Sequence, residues 1–172
     1  MGLKLSPQKR ILNDGFIIYS FYEYQNIEFL LKTKYYLIGN KIYKFLSNKA
    51  VKYFRDNING DFSKIYSIGI DDRVDSFYSH SGVIVREFSE IFKPLFGVLK
   101  ATNNIHYAGK NLQYRKDNKK GFIYNWRNNI DVILIDDVIT TGCSIIEARE
   151  CLLNHNVRAL FAITLSDARV NL

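Results

Sequence analysis

Apolar and polar positions repeat with different periods along this chain, and each change of period marks an element. Residues 15–24 (GFIIYSFYEY) are aromatic and β-branched, the composition of a strand or hairpin. Residues 26–34 (NIEFLLKTK) predict a short helix. Between 38 and 54, Ile42, Phe45, Leu46, Val51 and Phe54 fall at the spacing of an amphipathic helix, and Asn57, Asn59 and Gly60 then predict a turn. Residues 64–70 (KIYSIGI) read as a strand that runs into the polar cluster Asp71, Asp72 and Arg73. From 82 to 96 the apolar residues Val83, Val85, Phe88, Ile91, Phe92 and Leu95 predict a helix. Residues 102–121 are polar and basic with little periodicity, which predicts a long loop or flexible hairpin, and such loops inside compact domains are usually functional.

The last third has the clearest pattern. DVILI (131–135) is a short continuous apolar run, read as a central strand buried on both faces. A helix is predicted from Ser144 to Leu153, with Ser144 and Glu147 spaced as an S-x-x-E capping box. VRALFAITL (157–165) is the closing strand. Strand, loop, helix and strand make a βαβ unit, so the expected fold class is α/β with a mostly parallel central sheet flanked by helices. In such sheets ligands bind at the carboxyl ends of the strands. The length of 172 residues fits one domain, with a strand-and-helix region over about 10–60 and a core over 61–172.

Composition adds three constraints. Hydrophobic residues make up 47% of the chain, with 12 Tyr and 12 Phe, which excludes a disordered protein. The net charge of +7 is regional: residues 1–60 hold ten Lys/Arg against four acids, and 110–127 hold six against one. That distribution suits an anionic partner. The two cysteines, Cys143 and Cys151, form neither a CxxC pair nor a disulfide framework, so a reducing, cytoplasmic setting is expected. No apolar run is long enough to span a bilayer, and MGLKLSPQKR lacks the apolar stretch of a signal peptide.

The segment that carries chemistry is VILIDDVITTGCS, residues 132–144. An apolar strand delivers Asp136 and Asp137 to its carboxyl end, and a small-residue loop leads into a helix. Small side chains let backbone N–H groups surround a phosphate, and the helix N-terminus adds orphan donors and partial positive charge. Gly142 permits a backbone angle or approach that a side chain would block. The two carboxylates can accept hydrogen bonds from vicinal hydroxyls. A ribose 5-phosphate meets both halves of this description.

The segment resembles the 5-phosphoribosyl 1-diphosphate (PRPP) loop of type I phosphoribosyltransferases, and is most similar to the ComF/ComFC competence proteins. The resemblance implies that Asp136 and Asp137 hold the ribose hydroxyls and that Thr140, Thr141, Gly142, Cys143 and Ser144 cradle the 5-phosphate. Cys143 stands where another small residue is common, and its thiol is expected to pack rather than to attack. Weaker likenesses run from about residue 16 to 169: Leu31 to Tyr35 resembles an early Leu-x-x-Lys-Tyr stretch, Arg115 to Phe122 an Arg-x-x-Asn…Phe signature, and Leu165 to Arg169 the Ala-Arg ending. Ile68-Gly69-Ile70 stands in place of the family's Pro-Val-Pro, before a turn that contacts the diphosphate, and Tyr78-Ser79-His80-Ser81 in place of Arg-Gly-Phe-Asn. The family's N-terminal four-cysteine zinc finger has no counterpart, since no cysteine precedes Cys143; either this is a short variant, or the finger was removed and Met1-Gly2 marks the cut.

On this basis Lys34, Asp71, Asp72, Arg73 and Arg115 are candidates to face the diphosphate. Mg2+ is expected with PRPP, held mainly by the diphosphate oxygens and their waters rather than directly by protein groups. His80 and His106 are too far apart in sequence to indicate a metal site. Trp126, Tyr107 and Tyr114 flank the basic loop, where aromatic and basic residues together can bind single strands, although core packing is the commoner fate. Three functions follow. The resemblance implies a PRPP-binding component of natural transformation that handles incoming single-stranded DNA alongside other competence proteins. An active phosphoribosyltransferase would pass ribose 5-phosphate to an unidentified base or other acceptor. A regulator would use the fold to sense PRPP or a nucleotide.

Overall fold

A computed structural model describes residues 3–74, 77–103, 105, 107 and 112–169. His106 lies outside the described residues. Strands β1 (Gln8–Ile11) and β2 (Ile17–Glu23) form an antiparallel pair joined through a tight turn. Helix α1 (Tyr24–Leu31) and a 3-10 turn (Lys32–Tyr35) lead into the long helix α2 (Leu37–Asn57), where Gly39, Tyr43, Leu46, Ser47, Ala50, Val51 and Phe54 make up the buried face. Next come β3 (Tyr66–Gly69), α3 (His80–Glu87), β4 (Lys93–Leu95) and the short hairpin partners β5 (Leu99–Ala101) and β6 (Phe122–Tyr124). Between β5 and β6 lies α4 (Leu112–Asp117). The chain finishes with β7 (Asp131–Ile139), α5 (Cys143–Leu153) and β8 (Arg158–Asp167).

The main sheet has the order β1-β2-β8-β7-β3-β4, and every neighbouring pair except β1-β2 is parallel. The structure therefore shows the expected α/β class, a mostly parallel sheet flanked by helices. Alternation along β7 supplies both cores. Val132 and Leu134 join a cluster beneath α5 and the β5–β6 hairpin; Ile133 and Ile135 join a second cluster beneath α1, α2 and α3. Burial on both faces is why this strand reads as an unbroken apolar run. No helix among the described residues is long and apolar enough to cross a membrane.

Three expectations need correction. The predicted helix over 82–96 ends at Glu87; a 3-10 turn follows, then β4, which carries Pro94. β4 is an edge strand, where a residue without an N–H is tolerated, whereas a helix interior would reject it. The central strand does not stop at Ile135 but runs to Ile139, because β8 continues beside it as far as Asp167. The 102–121 region joins the β5–β6 hairpin, Thr102 and Asn103 donating to the carbonyls of Gly121 and Lys120, and it also contains α4 rather than loop alone.

Candidate functional site

The carboxyl end of β7 turns at Thr140–Gly142 into α5. Gly142 is the N-cap residue and has φ +83°, the left-handed region that glycine enters without a Cβ penalty. The turn aims the first amides of α5, which have no intrahelical acceptors, back over the strand end. They border a small open pocket lined by Asp136, the loop from Thr140 to Ser144, and Arg115. The capping box does not form. Ser144 is already inside the helix, the cap position is Gly142, and the Thr141 hydroxyl accepts from the Cys143 amide at 3.4 Å. Glu147 reaches the other way, accepting from the amides of Gly121 at 2.6 Å and Lys120 at 3.1 Å, and so ties α5 to the approach to β6.

Because the strand continues past Ile135, the two acids lie within it, where successive side chains leave on opposite faces. Asp136 lines the pocket at the start of α5. Its Oδ1 accepts from the Asp137 amide at 2.8 Å, and its second oxygen has no hydrogen-bond partner among the described residues. Asp137 turns toward α2 and α3. Its Oδ2 meets Lys34 Nζ at 3.0 Å, the Tyr43 hydroxyl at 3.0 Å and His80 Nε2 at 3.9 Å. Burial and the charge of Asp137 push the Asp136 carboxyl up to about 7. Burial also works against ionisation of Asp137, but the Lys34 ammonium, His80 and the hydrogen bonds from Lys34 and Tyr43 outweigh it and hold that carboxyl well below the usual range. Lys34 is correspondingly held protonated by Asp137. Burial lowers His80, favouring the neutral ring.

The other candidates divide. Asp71 accepts from the Ala101 amide at 3.0 Å and pairs with Arg73 at 2.8 Å. Asp72 is buried, accepting from the Gly97 amide at 2.7 Å and from the Ser79 hydroxyl, which also caps α3. Asp71 thus holds the turn after β3 against the end of β5, and Asp72 holds it against the β4–β5 connection. Arg115 is brought onto the loop after β7, touching the Thr140 hydroxyl, with the Thr141 hydroxyl at 3.4 Å. Cys143 is a free, half-buried thiol at the first turn of α5. Trp126 packs edge-on against Tyr66 in the core, and Tyr107 is buried.

Sequence reasoning missed several residues that shape the site. Tyr43, assigned no role beforehand, links Asp137 to the Leu31 carbonyl at 3.1 Å. His80 joins Asp136 and Asp137 with ligand-type atoms all within 4.8 Å, a neighbourhood that sequence spacing could not reveal. Lys120 lies close enough to Asp136 and His80 to act on both electrostatically. Arg10 of β1 donates to the Thr140 carbonyl at 2.6 Å and to Asp167 at 3.2 Å, anchoring the loop from below. The only advance signal for these was their residue type beside an aromatic or basic run.

No family model matches the sequence, and no curated protein matches it. Solved structures with a related backbone include a hypoxanthine phosphoribosyltransferase from Staphylococcus aureus, 15% identical with a TM-score of 0.44 over 74% of this chain and 64% of that one. UMP synthase from Leishmania donovani is 14% identical, with a TM-score of 0.43 over 95% of this chain and 28% of that one. Orotate phosphoribosyltransferase from Francisella tularensis is 15% identical, with a TM-score of 0.40 over 95% of this chain and 77% of that one. The chain spans less than two thirds of the length of the first two. Any functional reading therefore rests on the site itself.

Proposed function

We propose that this chain binds PRPP, with the 5-phosphate over the first amides of α5 and the ribose hydroxyls at Asp136. The observation that carries this reading is the shared pocket: an uncommitted carboxylate oxygen and a helix start opened by Gly142 border one cavity. Asp137 acts from behind, fixed by Lys34 and Tyr43, rather than as an equal partner in the ribose contact. The diphosphate would lie toward Lys34, Asp71, Asp72 and Arg73. Mg2+ bound with PRPP would neutralise the diphosphate oxygens. The donor set fits such an ion through Asp136, since Asp137 Oδ2 already serves Lys34 and Tyr43.

The finer reading is a phosphoribosyltransferase-like protein of the ComFC type, acting in natural transformation on incoming single-stranded DNA with other competence proteins. It is supported by the similarity of residues 132–144 to that family's loop and by the basic regions 1–60 and 110–127, which suit a phosphate backbone. Calorimetric titration tests the core of the proposal. The chain with Mg2+ is expected to bind PRPP, and Asp136→Ala to weaken it about 10- to 100-fold, as the loss of a hydrogen bond to a charged group implies. Absence of PRPP binding to the unaltered chain at millimolar concentration would sink the reading.

One observation favours turnover as a second reading. An Asp136 carboxyl raised to about 7 beside the ribose position is suited to take a proton from an acceptor near neutral pH when Mg2+ is held by the diphosphate alone. Pyrophosphate release in the presence of bases and nucleosides tests this; no release across them, with PRPP bound, leaves a binding protein only.

A further inference from the structure

Arg115 was a candidate for the diphosphate, yet its position points elsewhere. Its Nη1 contacts the Thr140 hydroxyl and lies 3.4 Å from that of Thr141, both in the loop beneath the proposed phosphate position. Its Nη2 donates to the Tyr107 carbonyl at 2.8 Å, and the guanidinium sits 5.5 Å from the centre of the Tyr107 ring. Tyr107 is held in turn, its hydroxyl donating to the carbonyls of Asn118 at 2.7 Å and Arg115 at 3.1 Å. The fork is thus oriented by a buried tyrosine at one side and faces the loop with the other. A planar guanidinium among hydroxyl and amide donors matches the oxygens of a phosphate dianion.

We infer that Arg115 is a ligand of the 5-phosphate and makes the loop selective for the phosphate dianion. This rests on the PRPP reading and adds to it: backbone amides and hydroxyls supply the cradle's shape, and Arg115 supplies formal charge at the phosphate end. Thr140 and Thr141 would exchange the guanidinium for phosphate oxygens as the ligand enters, with Arg115 remaining in contact from the side. Lys120, which faces Asp136, is left for the ribose and diphosphate end.

Two probes separate the ends of the ligand: ribose 5-phosphate, which carries only the 5-phosphate, and magnesium pyrophosphate, which carries only the leaving group. With the full chain, Arg115→Ala is expected to weaken ribose 5-phosphate about 10- to 100-fold and to leave magnesium pyrophosphate unchanged. Arg115→Lys should restore part of the loss, as a point charge without the fork. Phosphorus NMR gives a readout that a purely structural role would not move. The monoester's second ionisation, at about 6 in water, should be depressed when bound to the unaltered chain and closer to its free value when bound to Arg115→Ala. Loss of pyrophosphate binding with ribose 5-phosphate unaffected would overturn the assignment, as would an unchanged ionisation of the bound phosphate. If the unaltered chain binds ribose 5-phosphate while Arg115→Ala binds it equally well, only the inference fails. If the unaltered chain binds neither PRPP nor ribose 5-phosphate, the PRPP reading fails with it.

Discussion

At the scale of single residues, the adjacent acids differ more than their identity suggests. Asp137 is buried with a cation and a hydroxyl on one oxygen, so its charged form is favoured; Asp136 is desolvated next to that charge, so its protonated form is. The linkage to folding can be signed. Asp136 rises from an ordinary 3.8 to about 7 in the folded chain. Its contribution to stability is therefore complete below the unfolded value and is lost as pH rises through the folded one. Asp136→Asn removes that loss. The variant is expected to melt above the unaltered chain at pH 8, with the gap closing as pH falls toward 4. His80, whose depressed value works in the opposite direction, lies within 4.8 Å of Asp136, so its own change is part of the measured difference. Thermal melts across this range check the prediction, and a gap independent of pH would refute it.

Among the elements, Glu147 shows how a correct helix can be assigned the wrong cap. The Ser144–Glu147 spacing satisfies a capping box, but Gly142, not Ser144, occupies the cap, and the freed carboxylate binds the amides of Lys120 and Gly121. Replacing Glu147 with Ala leaves those two donors without their acceptor, at a cost of about 1–3 kcal/mol. Amide exchange at Lys120 and Gly121 should accelerate while α5 itself stays protected; unchanged exchange at both would count against the tether. The same region shows where sequence legibility ended. The long elements β2, α2, α5 and β8 each bury a full face, and β7 buries both and reads as a continuous apolar run. β5 and β6 have three residues each, too few to establish alternation, and β4 was absorbed into a helical pattern by the spacing of Phe88 and Phe92. Pro94 was the available signal that the helix could not continue. The turn from β7 into α5 was legible because its residues are contiguous in sequence. The surroundings of Asp137 were not, because Lys34, Tyr43 and His80 arrive from three separate segments.

Across the whole molecule, the site depends on both ends of the chain meeting. Arg10 on the edge strand β1 crosses to Asp167 at the end of β8, and Arg169 closes on the other carboxylate oxygen at 2.8 Å. The Asp167 side chain is fully buried, and Arg10 is 18% exposed. Because Arg10 also holds the Thr140 carbonyl at 2.6 Å, this cluster braces the turn between β7 and α5. The Asp131–Arg158 pair is a natural contrast: its contacts are as short, at 2.8 and 2.6 Å, but Arg158 is 72% exposed. Solvent screening limits such surface pairs to about 0–1 kcal/mol. Asp167→Asn, which keeps the shape and removes the charge, is expected to cost about 1.5–3 kcal/mol in denaturant unfolding, and Asp131→Asn under about 1 kcal/mol. The two should also separate in binding. Asp167→Asn weakens ribose 5-phosphate by releasing Arg10 from its anchor and letting Thr140 shift, while Asp131→Asn, at the opposite end of the sheet where β7 begins, leaves affinity alone. Equal effects of the two variants on affinity would mean that the loop holds its position without Arg10, and that the chain's ends meet for stability only.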